Sequence, residues 1–164
     1  MSDAYQHAVE QFLLARRIAI FGYSSTEHAL PGNYIFDKLR KHDYEVFAIN
    51  PRLPIDVEQG HYRNLAQVPG PIDAAVIATP PGATLAALES CHTLGVKLAW
   101  LHRSVDQGSY LPAAEAYARQ QGITLITGGC PMMFLSPDIA HRCLRWVAKL
   151  RGVLEVQEAT ATVQ

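Results

Sequence analysis

The sequence lacks most of the features that would assign it a chemistry at sight. Its three cysteines, Cys91, Cys130 and Cys143, stand at no motif spacing. No disulfide framework is encoded, and a reducing cytoplasm is the simplest setting. The seven histidines form no H-x-x-x-H pair, so no metal site is expected. No apolar run is long enough to cross a bilayer. The N-terminal apolar segment, Phe12 to Ala15, is cut off by Arg16 and Arg17 without a cleavage-site pattern, so no signal peptide is expected. Neither sign of charge dominates: 14 Lys and Arg face 15 Asp and Glu, a formal net charge of −1. That balance gives no electrostatic case for nucleic acid or for a membrane surface, so neither is expected as a partner. Repeats and low-complexity tracts are absent.

What remains is an ordinary globular composition. The 164 residues are 49% hydrophobic and 18% charged, enough for one domain with a real core. A helix is predicted over 3–15, capped by Ser2, with Tyr5, Ala8, Val9, Phe12 and Leu13 on one face. Strands are predicted at 17–21, 45–49, 73–78, 97–101 and 123–126. Helices between them cover 32–42, 82–94 and 110–121, the first burying Ile35, Phe36 and Leu39. Residues 53–71 allow only a short strand near Tyr62 and a helical turn near Leu65. A last helix is predicted from Ser136-Pro137-Asp138, with Ile139, Cys143, Trp146, Val147 and Leu150 as its buried face. This organisation reads as a single domain over 1–154, with a mobile tail over 155–164. Strands alternating with helices imply a doubly wound, mostly parallel sheet, a three-layer α/β/α and Rossmann-like fold. Its ligand crevice lies at the carboxyl ends of the strands.

The loops at those ends carry the chemistry. After the first strand come Gly22, Tyr23, Ser24 and Ser25, and no further glycine until Gly32. The G-x-G-x-x-G turn of a dinucleotide site is missing. Hydroxyls and a helix N-terminus at Gly32-Asn33 suit a phosphate, and equally suit a plain surface loop. The second strand ends in Asn50, Pro51 and Arg52, where an NAD site usually carries an acid. A guanidinium there offers planar donors to a phosphorylated ribose, as in NADP or coenzyme A. Alternatively it is a solvated surface arginine. Thr79-Pro80-Pro81 forms an amide-poor wall or a simple strand-to-helix turn. His102, Arg103, Ser104 and Asp106 hold hydrolase residue types, but no G-x-S-x-G elbow accompanies them. Cys130, beside Pro131, reads as a nucleophile or as a small buried hydrophobe.

Five segments form an ordered set: Ile18-Ala19-Ile20-Phe21-Gly22, Ile49-Asn50-Pro51-Arg52, Pro71-Ile72-Asp73 running to Val76, Lys97-Leu98-Ala99-Trp100-Leu101, and Cys130-Pro131-Met132. Over about residues 16–135 this set resembles the stand-alone coenzyme A-binding proteins, which are similar to the N-terminal domain of succinyl-CoA synthetase α chains. The resemblance implies a CoA pyrophosphate at Ser24, Ser25 and Asn33, and a 3′-phosphate near Arg52. It implies a pantetheine arm passing Thr79, Pro80 and Pro81 towards Cys130 and Pro131. The segment Pro31-Gly32-Asn33-Tyr34 departs from the family pattern, as do Thr79-Pro80-Pro81, His102 and Arg103. The phosphohistidine and ATP-grasp parts of a synthetase have no counterpart here, so binding of coenzyme A or an acyl-CoA without catalysis is expected. An NADP-dependent oxidoreductase or redox-sensing module is the alternative, and a Cys130-dependent enzyme the next. A homodimer or an enzyme partner would give the Trp146 face a second use.

Overall fold

The computed structural model describes residues 2–103 and 107–158. Helix α1 (Asp3–Leu14) starts where the Ser2 hydroxyl accepts the Tyr5 amide at 3.2 Å, a side-chain cap as predicted. Strand β1 (Arg17–Phe21) follows. Next come α2 (Pro31–Arg40), β2 (Glu45–Ile49) and β3 (His61–Tyr62). After a turn of 3-10 helix at Leu65–Gln67 come β4 (Ala74–Ile77), α3 (Pro81–Thr93) and β5 (Leu98–Leu101). The chain closes with α4 (Pro112–Gln120), β6 (Thr124–Ile126), a 3-10 turn at Pro131–Met133, α5 (Ile139–Leu150) and β7 (Val156–Gln157). Proline opens α2, α3 and α4, where its missing amide is no loss.

The sheet order is β3-β2-β1-β4-β5-β6-β7. All pairs are parallel except β6 with β7. After β1 the chain winds outward to β2 and β3, then crosses back to lay β4 on the other side of β1. The direction of winding reverses there, the topological switch point where doubly wound sheets bind ligands. The central strands are buried on both faces, hence their near-continuous apolar runs. One face packs Ile18, Ile20 and Val76 under α1 and α2. The other packs Ala19, Ile77 and Leu101 under α3 and α4. No helix among the described residues is long and apolar enough to cross a membrane.

Two expectations about the C-terminal region change. First, α5 is capped by Asp138, whose carboxylate accepts the His141 amide at 2.8 Å. Ser136 sits at φ 43°, outside capping geometry. Most of the face expected to be buried points outward: Ile139 is 80% exposed, Trp146 65% and Leu150 67%, and Cys143 is exposed as well, while Val147 is half-buried. Only Ala148 is buried, with Leu144 packed on the core cluster beside it. The small Ala148 side lies down on the body. Periodicity defines a helix face but not which way it turns. Second, the segment just past Leu154 is not a loose tail. Val156 and Gln157 pair antiparallel with Ile126 and Leu125, and the Thr127 amide donates to the Glu155 carbonyl at 2.9 Å. Two residues of strand are too few to show alternation in a sequence, but they satisfy the open edge of β6.

Candidate functional site at the carboxyl edge of the sheet

Two glycines open the switch point. Gly22 follows β1 at φ 96°, and a Cβ there would lie 2.4 Å from the Ala78 carbonyl oxygen at the end of β4. A Cβ on Gly32, in the first turn of α2, would lie 2.5 Å from the Gly22 carbonyl oxygen. Three backbones therefore meet without side chains between them. This is the close approach that the dinucleotide glycines provide elsewhere, reached here by a different spacing.

The loop between these glycines is braced from within. The Asn33 side chain is 5% exposed. Its Nδ2 donates to the Ser24 carbonyl at 2.7 Å, and its Oδ1 accepts the Ser24 amide at 3.0 Å. Both ends of the Asn33 amide are thus engaged by the loop, which makes it a positioning residue for Ser24. The Ser24 hydroxyl accepts the amides of Thr26 and Glu27 at 3.2 and 3.1 Å, and Ser25 is exposed. The Tyr23 ring packs against Phe36 and His61, both at 4.9 Å between centroids. Burial pushes the His61 imidazole below its ordinary value, reinforced by Arg40 and opposed by Asp56.

Asn50 ties the next strand end to this loop. Its Nδ2 donates to the Tyr23 carbonyl at 2.7 Å, while its Oδ1 accepts the Arg52 amide at 3.0 Å. Pro51 and Arg52 are exposed at the turn. On the other side of β1, the Thr79 hydroxyl oxygen is buried with no hydrogen-bond partner among the described residues. The Thr79 carbonyl accepts the Ser109 hydroxyl at 2.6 Å, and the Ser109 carbonyl accepts the Thr84 hydroxyl at 2.8 Å. This Ser109–Thr84 bridge fixes the first turn of α3, which begins at Pro80-Pro81. Nothing in the sequence marks it, because its ends lie 25 and 30 residues apart.

The loop after β6 is anchored by two donors on one carbonyl: the Tyr5 hydroxyl at 2.9 Å and the Trp100 indole nitrogen at 3.0 Å both donate to Gly128. Beyond it Cys130 is 3% exposed, and Pro131 starts the 3-10 turn. Burial pushes the Cys130 thiol up to about 12, outweighing the Met132 amide and Lys38, which pull it down. Cys91 is held up to about 12 by burial as well. A nucleophile needs thiolate, and neither buried thiol supplies it. In native protein at neutral pH, iodoacetamide should therefore label Cys143 alone, with all three thiols reacting in denaturant. Burial of both Cys91 and Cys130 suppresses their thiolate at neutral pH. Mass spectrometry of the labelled peptides checks this, and rapid native labelling of Cys130 would contradict it.

Adjacent strands thus bring together Arg52 after β2, Gly22 to Ser25 after β1, and Thr79 to Pro81 after β4. Cys130 and Pro131 lie on the same carboxyl edge, separated from the β4 loop by β5. Of the hydrolase-like residues, Ser104 and Asp106 lie outside the described residues. The Arg103 guanidinium stacks over the Tyr110 ring at 4.6 Å. No group of His, Cys, Asp and Glu that could hold a metal occurs among the described residues. A shallow recess of about 590 Å³, lined in part by His7, Asp73, Lys97 and Glu158, opens at the opposite, amino end of the sheet and shares no residue with these loops.

A protein-family model described as a CoA binding domain matches residues 16–136. A Thermus thermophilus protein of known structure is 25% identical, with a TM-score of 0.68 over 88% of this chain and 99% of its own. A hypothetical protein from Pyrococcus horikoshii is 22% identical, with a TM-score of 0.68 over 78% of this chain and 87% of its own. The dinucleotide-forming acetyl-coenzyme A synthetase 1 of Ca. Korarchaeum cryptofilum, solved with phosphate and ADP, is 24% identical, with a TM-score of 0.59. It aligns with 72% of this chain but only 26% of its own length. The last two likenesses are of fold.

Proposed function

The chain belongs to the CoA-binding domain family, and from that membership we propose that it binds coenzyme A, free or acylated, across the β2, β1 and β4 loops without chemistry of its own. The Thr79 hydroxyl carries the proposal. A buried hydroxyl without a partner is costly in a folded chain, and this one stands at the switch point, where a ligand atom would satisfy it. The pyrophosphate lies against the loop that Asn33 braces, with donors from the exposed Ser25 and the opening of α2. The 3′-phosphate of the ribose pairs with the exposed Arg52 guanidinium, which makes no hydrogen bond or ion pair among the described residues. The pantetheine arm follows Thr79, Pro80 and Pro81, with Cys130 and Pro131 as the far wall of its path.

Lack of catalysis is the economical reading. The one cysteine on the carboxyl edge is buried and protonated. The family match gives no support to an NADP-linked oxidoreductase. The acyl group, if any, is left to the loop after β6.

Titration calorimetry tests the proposal. Coenzyme A should bind, and 3′-dephospho-CoA should bind about tenfold or more weakly, the worth of one charge-assisted pair. Arg52→Ala should weaken coenzyme A to the same degree while leaving 3′-dephospho-CoA unchanged. Thr79→Val gives a second, opposed signature. It should leave the unliganded protein as stable as before, or more stable by up to about 1 kcal/mol, while weakening coenzyme A several-fold. Heat from NADPH with none from coenzyme A would overturn the assignment.

A further inference from the structure

Helix α5 turns an apolar stripe to solvent. Ile139, Cys143, Trp146 and Leu150 recur at four, three and four residues and so share one face. That face points away from the body, because Ala148, on the opposite side, is what packs. Ala140 and Val147 widen the stripe along one edge. Exposed side chains of this size, grouped on one element, mark an interaction site rather than scatter.

The charge around the stripe identifies what covers it. Residues 139–154 contain four cations and no acid, in a chain whose formal net charge is −1, so the rest of the chain is distinctly acidic. The overall balance conceals this local concentration. Helical spacing sets Arg142 and Lys149 along one border of the stripe. Arg145 turns inward, over the Phe134 ring at 5.6 Å. Of the two acids that flank this segment, Asp138 is engaged by His141 at the helix start, and Glu155 lies beyond the helix. A second copy pairing through this helix in the antiparallel sense would set Arg142 against Lys149 of the other copy, a like-charge contact. A short amphipathic helix with cations along its border, a central Trp and an outward apolar face is suited to lie in the plane of an anionic lipid surface. Its Arg and Lys heads reach the headgroups, and Trp146 sits at the interface.

We propose that α5 is a reversible docking helix for anionic lipid surfaces. It would carry the domain to a bilayer. Docking by this one short helix is weak and salt-sensitive, because a few apolar side chains and two cations are all it engages.

Sedimentation of the full chain with large vesicles tests it. The vesicles are phosphatidylcholine alone, or phosphatidylcholine with one-third phosphatidylglycerol. The protein should sediment with the anionic vesicles about tenfold more than with the neutral ones, and lose that difference in high salt. Fluorescence supplies the second readout. Trp146 is exposed and Trp100 is fully buried, so anionic vesicles should blue-shift the emission of the wild type but not of Trp146→Phe. The paired reversal Arg142→Glu and Lys149→Glu should abolish sedimentation while the far-ultraviolet dichroism stays native, both positions being exposed. Equal binding to the two vesicle types, or binding to neither, overturns the proposal. So does self-association, seen by sedimentation velocity, that shields Trp146 without lipid.

Discussion

Trp100→Ala should bring the protein close to unfolding. The indole is fully buried, edge-on to Phe12 at 5.1 Å and tilted against Phe134 at 5.7 Å. It stands where β5, α1 and the loop after β6 meet. Removing a side chain of that size from a core costs about 3–5 kcal/mol, a large share of the roughly 5–15 kcal/mol that holds a domain together. A fall in Tm of about 10 °C is expected. The smaller change separates packing from hydrogen bonding. Trp100→Phe keeps a ring but removes the indole donor. The Gly128 carbonyl still accepts the Tyr5 hydroxyl, so the hydrogen-bond loss should be about 1 kcal/mol. Tyr5→Phe should behave alike. The double variant Tyr5→Phe, Trp100→Phe should lose more than the sum of the two, because a buried carbonyl is then left without a donor. Urea denaturation of the four variants decides the matter. Equal midpoints for Trp100→Ala and Trp100→Phe would show that the aromatic packing contributes little.

Gly22→Ala should damage stability and ligand binding together. The residue stands at φ 96°, and the added Cβ would meet the Ala78 carbonyl at 2.4 Å. The left-handed conformation alone costs an L-residue about 1–2 kcal/mol. The contact is with backbone, so relief requires the ends of β1 and β4 to separate. Those are the strand ends that form the switch point, and coenzyme A affinity should fall about tenfold or more as the loops spread. Gly82→Ala is the control: it lies in the first turn of α3, where a Cβ would meet nothing within 4 Å. It should melt and bind as the parent does. Differential scanning fluorimetry and calorimetry read both effects. A Gly22→Ala protein with native affinity would mean that the ligand does not depend on the β1–β4 junction.

How much of this was legible beforehand depends on distance along the chain. The runs 17–21 and 45–49 announce buried parallel strands because each is continuously apolar and ends in a turn residue. The short elements at Tyr62 and Leu65 were legible too, since the surrounding prolines and glycines leave room for nothing longer. In the site, Gly22 and Arg52 were visible as candidates from loop position alone. Asn33 was visible only as a residue, not in its role: its amide is committed to Ser24, nine residues away. The Thr79 hydroxyl, without a partner among the described residues, was invisible, because partnering is a property of everything around it. So was the Ser109–Thr84 bridge. Cys130 was open between nucleophile and buried hydrophobe until its environment showed a thiol held protonated.

The C-terminal helix draws the line most sharply. Its sequence marks an amphipathic stripe through Ile139, Cys143, Trp146, Val147 and Leu150, and a start at Ser136-Pro137-Asp138. That stripe looks the same whether it packs or faces water. The tertiary structure turned Ala148 inward and the stripe outward, and it recruited Val156 and Gln157 to an edge that no local pattern reveals. Composition, periodicity and turn residues act over a few positions, so the sequence alone determined the elements, their alternation and hence the doubly wound sheet. Which faces meet, which polar atoms find partners and which cations gather around an apolar surface depend on residues brought together from afar. Only the folded chain decided those, because each is a balance of burial and hydrogen bonding struck between segments and not within one.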